Sequence, residues 1–114
     1  MNKIEAIIQP EKLTSVKDAL AEKGLVGLNV VQVTDRGKQK GVVVGSPRDV
    51  GSHVVDILPK VKLELVVNDR DTRKAIDIII AKARTENIGD GKIFITPNVN
   101  AIRVRTGEEG DQAL

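Results

Sequence analysis

Three observations predict an α+β fold in which two helices pack on one face of an antiparallel sheet. Two β-α-β passages succeed one another, one in each half of the chain. A glycine-rich interval separates them. The apolar content is almost wholly aliphatic: 40% of residues are hydrophobic and Phe94 is the single aromatic. Such a composition suits a small two-layer core of Ile, Val, Leu and Ala. At 114 residues the chain is expected to form one domain, 1–114, long enough to bury that core.

Ile4, Ala6 and Ile8 alternate with Glu5 and Ile7, the period of a strand. Pro10 suits the first turn of a helix, where its missing N–H leaves no bond unmade. Leu13, Val16, Ala19 and Leu20 share one side of that helix, while Glu11, Lys12, Lys17, Asp18, Glu22 and Lys23 fall mostly elsewhere. Gly24 ends it. The β-branched run from Leu28 to Val33 predicts the second strand. The grammar then returns: Val61, Leu63, Leu65 and Val67 alternate with Lys62 and Glu64, and Asn68 and Asp69 offer helix-capping chemistry. Thr72, Ile76, Ile79, Ile80 and Ala83 trace a helical stripe that finishes at the basic Lys82 and Arg84. Ile93 to Thr96 read as a strand, Pro97 and Asn98 as a turn, and Ala101 to Arg105 as a short extended piece. The order β-α-β-β-α-β is that of a ferredoxin-like sandwich.

Between the halves lie residues 35–60, where Gly37, Gly41, Gly45, Gly51 and Pro47 oppose regular structure. A loop beyond about 12–15 residues is uncommon in a compact domain and is usually functional or disordered. Its ends are able to extend the flanking strands into a hairpin. Ser46 and Ser52 in it are candidate modification sites, and His53 reads as a surface residue.

Composition also excludes. Eighteen basic residues against 16 acidic ones leave no strong field for a polyanion. Without Tyr or Trp there is no stacking platform, so no nucleic-acid partner is expected. The absence of cysteine removes disulfides, thiolate nucleophiles and cysteine-built zinc sites. A lone His53 leaves little for acid–base catalysis, and the expectation is a non-enzymatic protein. No apolar run has membrane or signal length, which predicts a soluble, cytoplasmic chain.

Three cationic elements remain as candidates. In Gly89-Asp90-Gly91-Lys92, two glycines let backbone N–H groups approach a ligand beside a lysine, which suits a phosphate. The same residues suit a helix stop and tight turn, with Asp90 serving the turn or a metal. Arg103 and Arg105, if on a strand, share one face about 7 Å apart, a spacing for a polyphosphate or for a solvated edge. Arg36 to Lys40 is a basic glycine turn. Neither the P-loop spacing nor the dinucleotide fingerprint is present. Lys60, held extended by Pro59, faces either solvent or a carboxylate.

Taken over its whole length, the chain resembles the PII signal-transduction proteins of nitrogen metabolism. The resemblance rests on Met1–Lys12 (MNKIEAIIQPEK), Gly37-Lys38-Gln39-Lys40-Gly41, Leu58-Pro59-Lys60-Val61-Lys62, Ala83-Arg84-Thr85, Ile88 to Phe94 and Arg103-Val104-Arg105-Thr106-Gly107-Glu108. It implies a homotrimer with ATP or ADP in clefts between subunits. It assigns a T-loop to about 37–58, a phosphate-contacting B-loop to about 84–92 and a C-terminal loop to about 103–114. The implied nucleotide residues are Ile7, Asn29, Gly37, Lys38, Gln39, Glu64, Val66, Thr85, Gly89, Asp90, Gly91 and Lys92, joined by Arg103 and Arg105 of a neighbouring subunit. Those implied for 2-oxoglutarate are Gln39, Lys40, Gly41, Lys60 and Gly89, with Gln39 also helping to hold Mg²⁺ beside ATP.

The family's partners imply an ammonium transporter or glutamine synthetase as target, with nitrogenase as the alternative. Membrane contact would come only through a transporter, and Arg48 in the T-loop is the candidate contact. Two departures stand out: Lys38 occupies a position commonly Arg, and Asn29 one commonly Thr. With no tyrosine in the chain, uridylylation or adenylylation of a T-loop tyrosine is chemically impossible. Two more distant readings are a small ferredoxin-like hydrolase, whose arginine loop is missing, and a nucleic-acid module, whose exposed aromatics are missing.

Overall fold

Alternation along two central strands organises the molecule. The computed structural model describes residues 1–36, 42–44, 53–55 and 57–114. Strands β1 (Asn2–Ile8), β2 (Leu28–Arg36), β5 (Ile57–Val67) and β6 (Gly91–Thr96) form an antiparallel sheet in the order β2-β5-β1-β6. Helices α1 (Leu13–Glu22) and α2 (Asp69–Ala83) cover one face, and β3 (Val42–Val44) pairs with β4 (His53–Val55) as a separate hairpin. This is the expected ferredoxin-like β-α-β-β-α-β arrangement.

Register places Ile4 opposite Leu65, Ala6 opposite Leu63 and Ile8 opposite Val61, so these side chains share the helix-covered face. All are buried, together with Val16 and Leu20 of α1 and Ala75, Ile76, Ile79 and Ala83 of α2. Burying each large aliphatic side chain contributes about 1.5–3 kcal/mol, which is what holds two short helices to the sheet. The other face carries Lys3, Glu5, Lys62 and Glu64. Lys62 Nζ lies 2.8 Å from Glu64 and 3.7 Å from Glu5, and Lys3 lies 3.5 Å from Glu5. The hydrogen bond between Lys62 and Glu64 is the first cause both of a raised lysine pKa and of a lowered carboxyl pKa.

The expected extension of the interval's ends is seen, and two other elements differ from expectation. β2 and β5 run on into the interval, pairing Asp35 with Leu58 and Arg36 with Ile57, as a hairpin extension would. The Pro10 helix opens as a 3₁₀ turn, Pro10–Lys12, before α1 proper. The segment from Ala101 to Arg105 is not a strand. Only Ile102 bridges, to Glu109, and Gly107 N donates to Arg103 O at 2.7 Å while Arg103 N donates to Glu108 O at 2.8 Å. The chain reverses there, so the side-by-side strand placement of Arg103 and Arg105 is corrected: Gly107, at φ +74°, permits a tight turn that a strand would not need.

Candidate functional site: the turn after the second helix

Helix α2 stops at Ala83, where Arg84 turns extended (φ −70°, ψ 131°). Gly89 is therefore not its C-cap, a second correction. Beyond Arg84 the chain forms a turn closed on itself by one side chain. The Asp90 carboxylate accepts the backbone N–H of Thr85 at 2.7 Å and of Glu86 at 2.8 Å, and also the Thr85 hydroxyl. The Thr85 hydroxyl bond is the largest cause holding the Asp90 carboxyl below its ordinary range. Glu86, Gly89 and Gly91 all adopt positive φ (69°, 103° and 111°).

Asp90 is thus spent on the turn, which favours its role in turn chemistry over a metal ligand. Among the described residues no cluster of His, Cys, Asp and Glu is able to hold a metal ion. With the carboxylate turned onto Thr85 and Glu86, Lys92 stands exposed at this end, as do Arg84 and Glu86. Gly91 is fixed by packing as well as by φ. A Cβ there would lie 1.8 Å from the Ile7 carbonyl oxygen, because β6 begins pressed against the end of β1.

Lys60 faces neither solvent nor a carboxylate in this structure. It is 4% exposed, and its Nζ donates to the Gly89 carbonyl, to which Gln9 Nε2 also donates at 3.3 Å. Sequence reasoning missed Gln9 entirely. Its one signal was position, immediately past the last β1 residue and therefore level with Lys60 across the sheet.

The other expected residues lie from the middle of the sheet, where Glu64 pairs with Glu5 and Asn29, towards its far end. Asn29, Glu64 and Val66 line a cleft of about 830 Å³ together with Asn100 and Leu114. The C-terminal segment is tied to the same end by Val99 N donating to Met1 O at 3.0 Å. Arg103 is half-buried there, with its guanidinium 3.2 Å from Glu108 and from the Leu114 carbonyl oxygen, and Arg105 is exposed. The glycine turn sits at the Ile8 end of β1, opposite Gly91. From Asn2 to Ile8 the strand spans about 20 Å. Among the described residues no hydrogen bond or ion pair joins Arg103 or Arg105 to the Gly89–Lys92 turn of the same chain. Ile7 belongs to the turn end, paired in register with Lys92 and Lys62.

A smaller hollow of about 300 Å³ opens between α2 and β6, lined by Ile8, Ile79, Ile80, Ala83 and Ile93 with Arg84, Asp90 and Lys92. Its walls are chiefly aliphatic, which suits packing space at the end of the core and not an anion. The expectations for Gly37, Lys38, Gln39, Lys40, Gly41, Ser46, Arg48 and Ser52 fall outside the described residues.

The chain is similar to known proteins over its whole length. A family model described as nitrogen regulatory protein P-II matches residues 1–108. Proteins of that name from Rhodobacter capsulatus and Nostoc punctiforme are 50% and 49% identical, each aligned over the whole of both chains. Nitrogen regulatory protein P-II 1 of Escherichia coli is 47% identical, again over both chains in full. No helix among the described residues is long and apolar enough to cross a membrane.

Proposed function

The chain belongs to the nitrogen regulatory protein P-II family, and from that premise we propose that it is a cytoplasmic, non-enzymatic sensor acting as a homotrimer. It binds ATP or ADP between subunits, takes 2-oxoglutarate beside the phosphates, and signals through the T-loop to an ammonium transporter or glutamine synthetase. The observation that carries the reading is the separation of the expected residues into two half-sites. One end of the sheet holds the Thr85–Lys92 turn and Ile7; its middle and opposite end hold Asn29, Glu64, Val66 and the Arg103/Arg105 segment. A nucleotide needing both the glycine turn and the arginines is served when the turn of one copy meets the arginines of another.

The turn fits an anion: positive-φ glycines, an inward carboxylate and an exposed Lys92 favour a phosphate. Arg103 would exchange Glu108 for a phosphate oxygen, keeping a charge-assisted bond throughout. Mg²⁺ would arrive with ATP and be held in part by Gln39, neutralising phosphate charge. Ligand occupancy then shifts the T-loop among its states, to the extent that ligands bind one state more tightly.

Light scattering should give a mass three times that of the chain. Calorimetric titration with ATP–Mg should show binding that 2-oxoglutarate strengthens. A protein that binds no adenine nucleotide sinks the sensor reading; binding indifferent to 2-oxoglutarate removes the metabolite alone. Recovery of a target at high ADP but not at high ATP with 2-oxoglutarate would identify the partner.

A further inference from the structure

We propose that Lys60 is a positioning residue for the 85–92 turn, setting the direction of the Gly89–Asp90 peptide before any ligand arrives. This goes beyond a carboxylate-pairing role for Lys60. Its nucleotide consequence rests on the function proposed above; its structural consequence does not.

Lys60 is the one charged side chain buried below a tenth exposure among the described residues. An ammonium that deep is strongly unfavourable unless its donors are used. The Gly89 carbonyl uses one of them, and the Gln9 amide donates to the same oxygen at 3.3 Å. Both donors come from the sheet side. Ile8 pairs with Val61 in the last rung of β1 with β5, and Gln9 and Lys60 are the next residue on each strand.

The peptide is planar and, like every peptide among the described residues, trans. With the Gly89 C=O drawn towards Lys60 and Gln9, the Asp90 N–H in the same plane is directed the opposite way. The Asp90 side chain meanwhile closes on Thr85 and Glu86. The turn is therefore held from two sides. A carbonyl is fastened to a cation and a carboxylate is fastened to amides, and one N–H is left aimed away from the sheet. A backbone donor aimed outward beside Lys92 is what a phosphate oxygen requires. A neutral side chain at position 60 frees that peptide to rotate.

The test uses the full chain without nucleotide. Hydrogen exchange of the 85–92 amides is measured in Lys60→Met, Lys60→Arg and Gln9→Ala beside the parent. Lys60→Met should exchange about tenfold faster in 85–92 while α2 and β1 keep their protection, the effect of losing one charge-assisted bond. Lys60→Arg, which keeps a cationic donor, should restore most of the protection, and Gln9→Ala should move it the same way by less. Titration with ATP–Mg in the absence of 2-oxoglutarate should show Lys60→Met about tenfold weaker, matching the same lost bond.

Unchanged exchange in Lys60→Met overturns the proposal, as does faster exchange spread evenly over the whole chain. Affinity lost only when 2-oxoglutarate is present overturns it too, because Lys60 would then serve the dicarboxylate alone. If Lys60→Met does not fold, Gln9→Ala decides, and unchanged exchange there overturns the proposal. If the parent binds no nucleotide, the sensor reading falls while the exchange result still judges Lys60.

Discussion

At the start of α2 the Asn68 side chain accepts the Asp71 N–H at 2.9 Å; past its end the Asp90 carboxylate accepts the Thr85 and Glu86 N–H at 2.7 and 2.8 Å. Both are short polar side chains gathering backbone donors. The outcomes differ because of where the donors lie. Asn68 satisfies a donor of the first helical turn, and the Thr72 hydroxyl closes back on the Asn68 carbonyl at 2.9 Å. One donor of that turn is thereby satisfied within the helix itself. Asp90 instead gathers donors that belong to no helix, and in doing so folds the chain back and leaves its own peptide facing out.

The contrast bears on anion binding, which more often uses a helix N-terminus. Here the positive end of α2 is capped by Asn68 and carries Asp69 and Asp71, and the candidate phosphate turn comes after the negative end. The helix dipole opposes an anion at that end. Lys92, exposed in the turn, and the buried Lys60 behind Gly89 supply the offset. A phosphate site after a helix C-terminus therefore needs cations from elsewhere in the fold.

Four substitutions or conditions would break or sharpen this comparison. The largest effect is expected from Gly91→Ala, whose Cβ would meet the Ile7 carbonyl at 1.8 Å and whose φ is +111°. Separating β6 from β1 should cost about 3 kcal/mol or more in a denaturant melt. A loss below about 1 kcal/mol would mean that β6 tolerates a shift and does not set the turn. Asp90→Ala comes next. It should lower stability by about 1–2 kcal/mol and weaken ATP about tenfold by calorimetry, since the turn loses its three donors' shared acceptor. Intact ATP affinity in that variant would separate the carboxylate from phosphate binding.

Asn68→Ala should cost about 1 kcal/mol, the usual worth of a cap, and leave ATP affinity unchanged. A change in affinity there would show that the two ends of α2 are coupled. The smallest effect is that of mild acid. The Asp90 carboxyl is held below its ordinary value, chiefly by the Thr85 hydroxyl. A depressed folded pKa contributes stability that is present above the unfolded value, near about 4, and is lost as pH falls through the folded value. Protection of the Thr85 and Glu86 amides, corrected for intrinsic exchange, should therefore stay flat from about pH 7 to pH 5 and decline only in stronger acid. Protection lost within that window would assign the acceptor to a different group.

Much of the fold was legible because its signals are local. Alternation at Ile4–Ile8 and Val61–Val67 and the stripe of α2 report on neighbours within a turn or two of chain. The Asn68 cap was readable for the same reason. The arginine segment misled for a related one. Arg103-Val104-Arg105 alternates like a strand, yet Gly107 reverses the chain and Glu108 takes Arg103. Gly89 looked like a helix stop because glycine marks both helix ends and turns, and only the path of Arg84 separates them.

By itself the sequence determined a β-α-β-β-α-β sandwich, its aliphatic core and, through its motifs, membership of the P-II family. The tertiary structure alone decided what surrounds the glycine–lysine turn: Lys60 buried against Gly89, and Arg103 at the other end of the sheet. Each of these depends on strand register and on groups far apart in the chain. Periodicity and turn chemistry read the backbone a few residues at a time, so they do not reach contacts of that span.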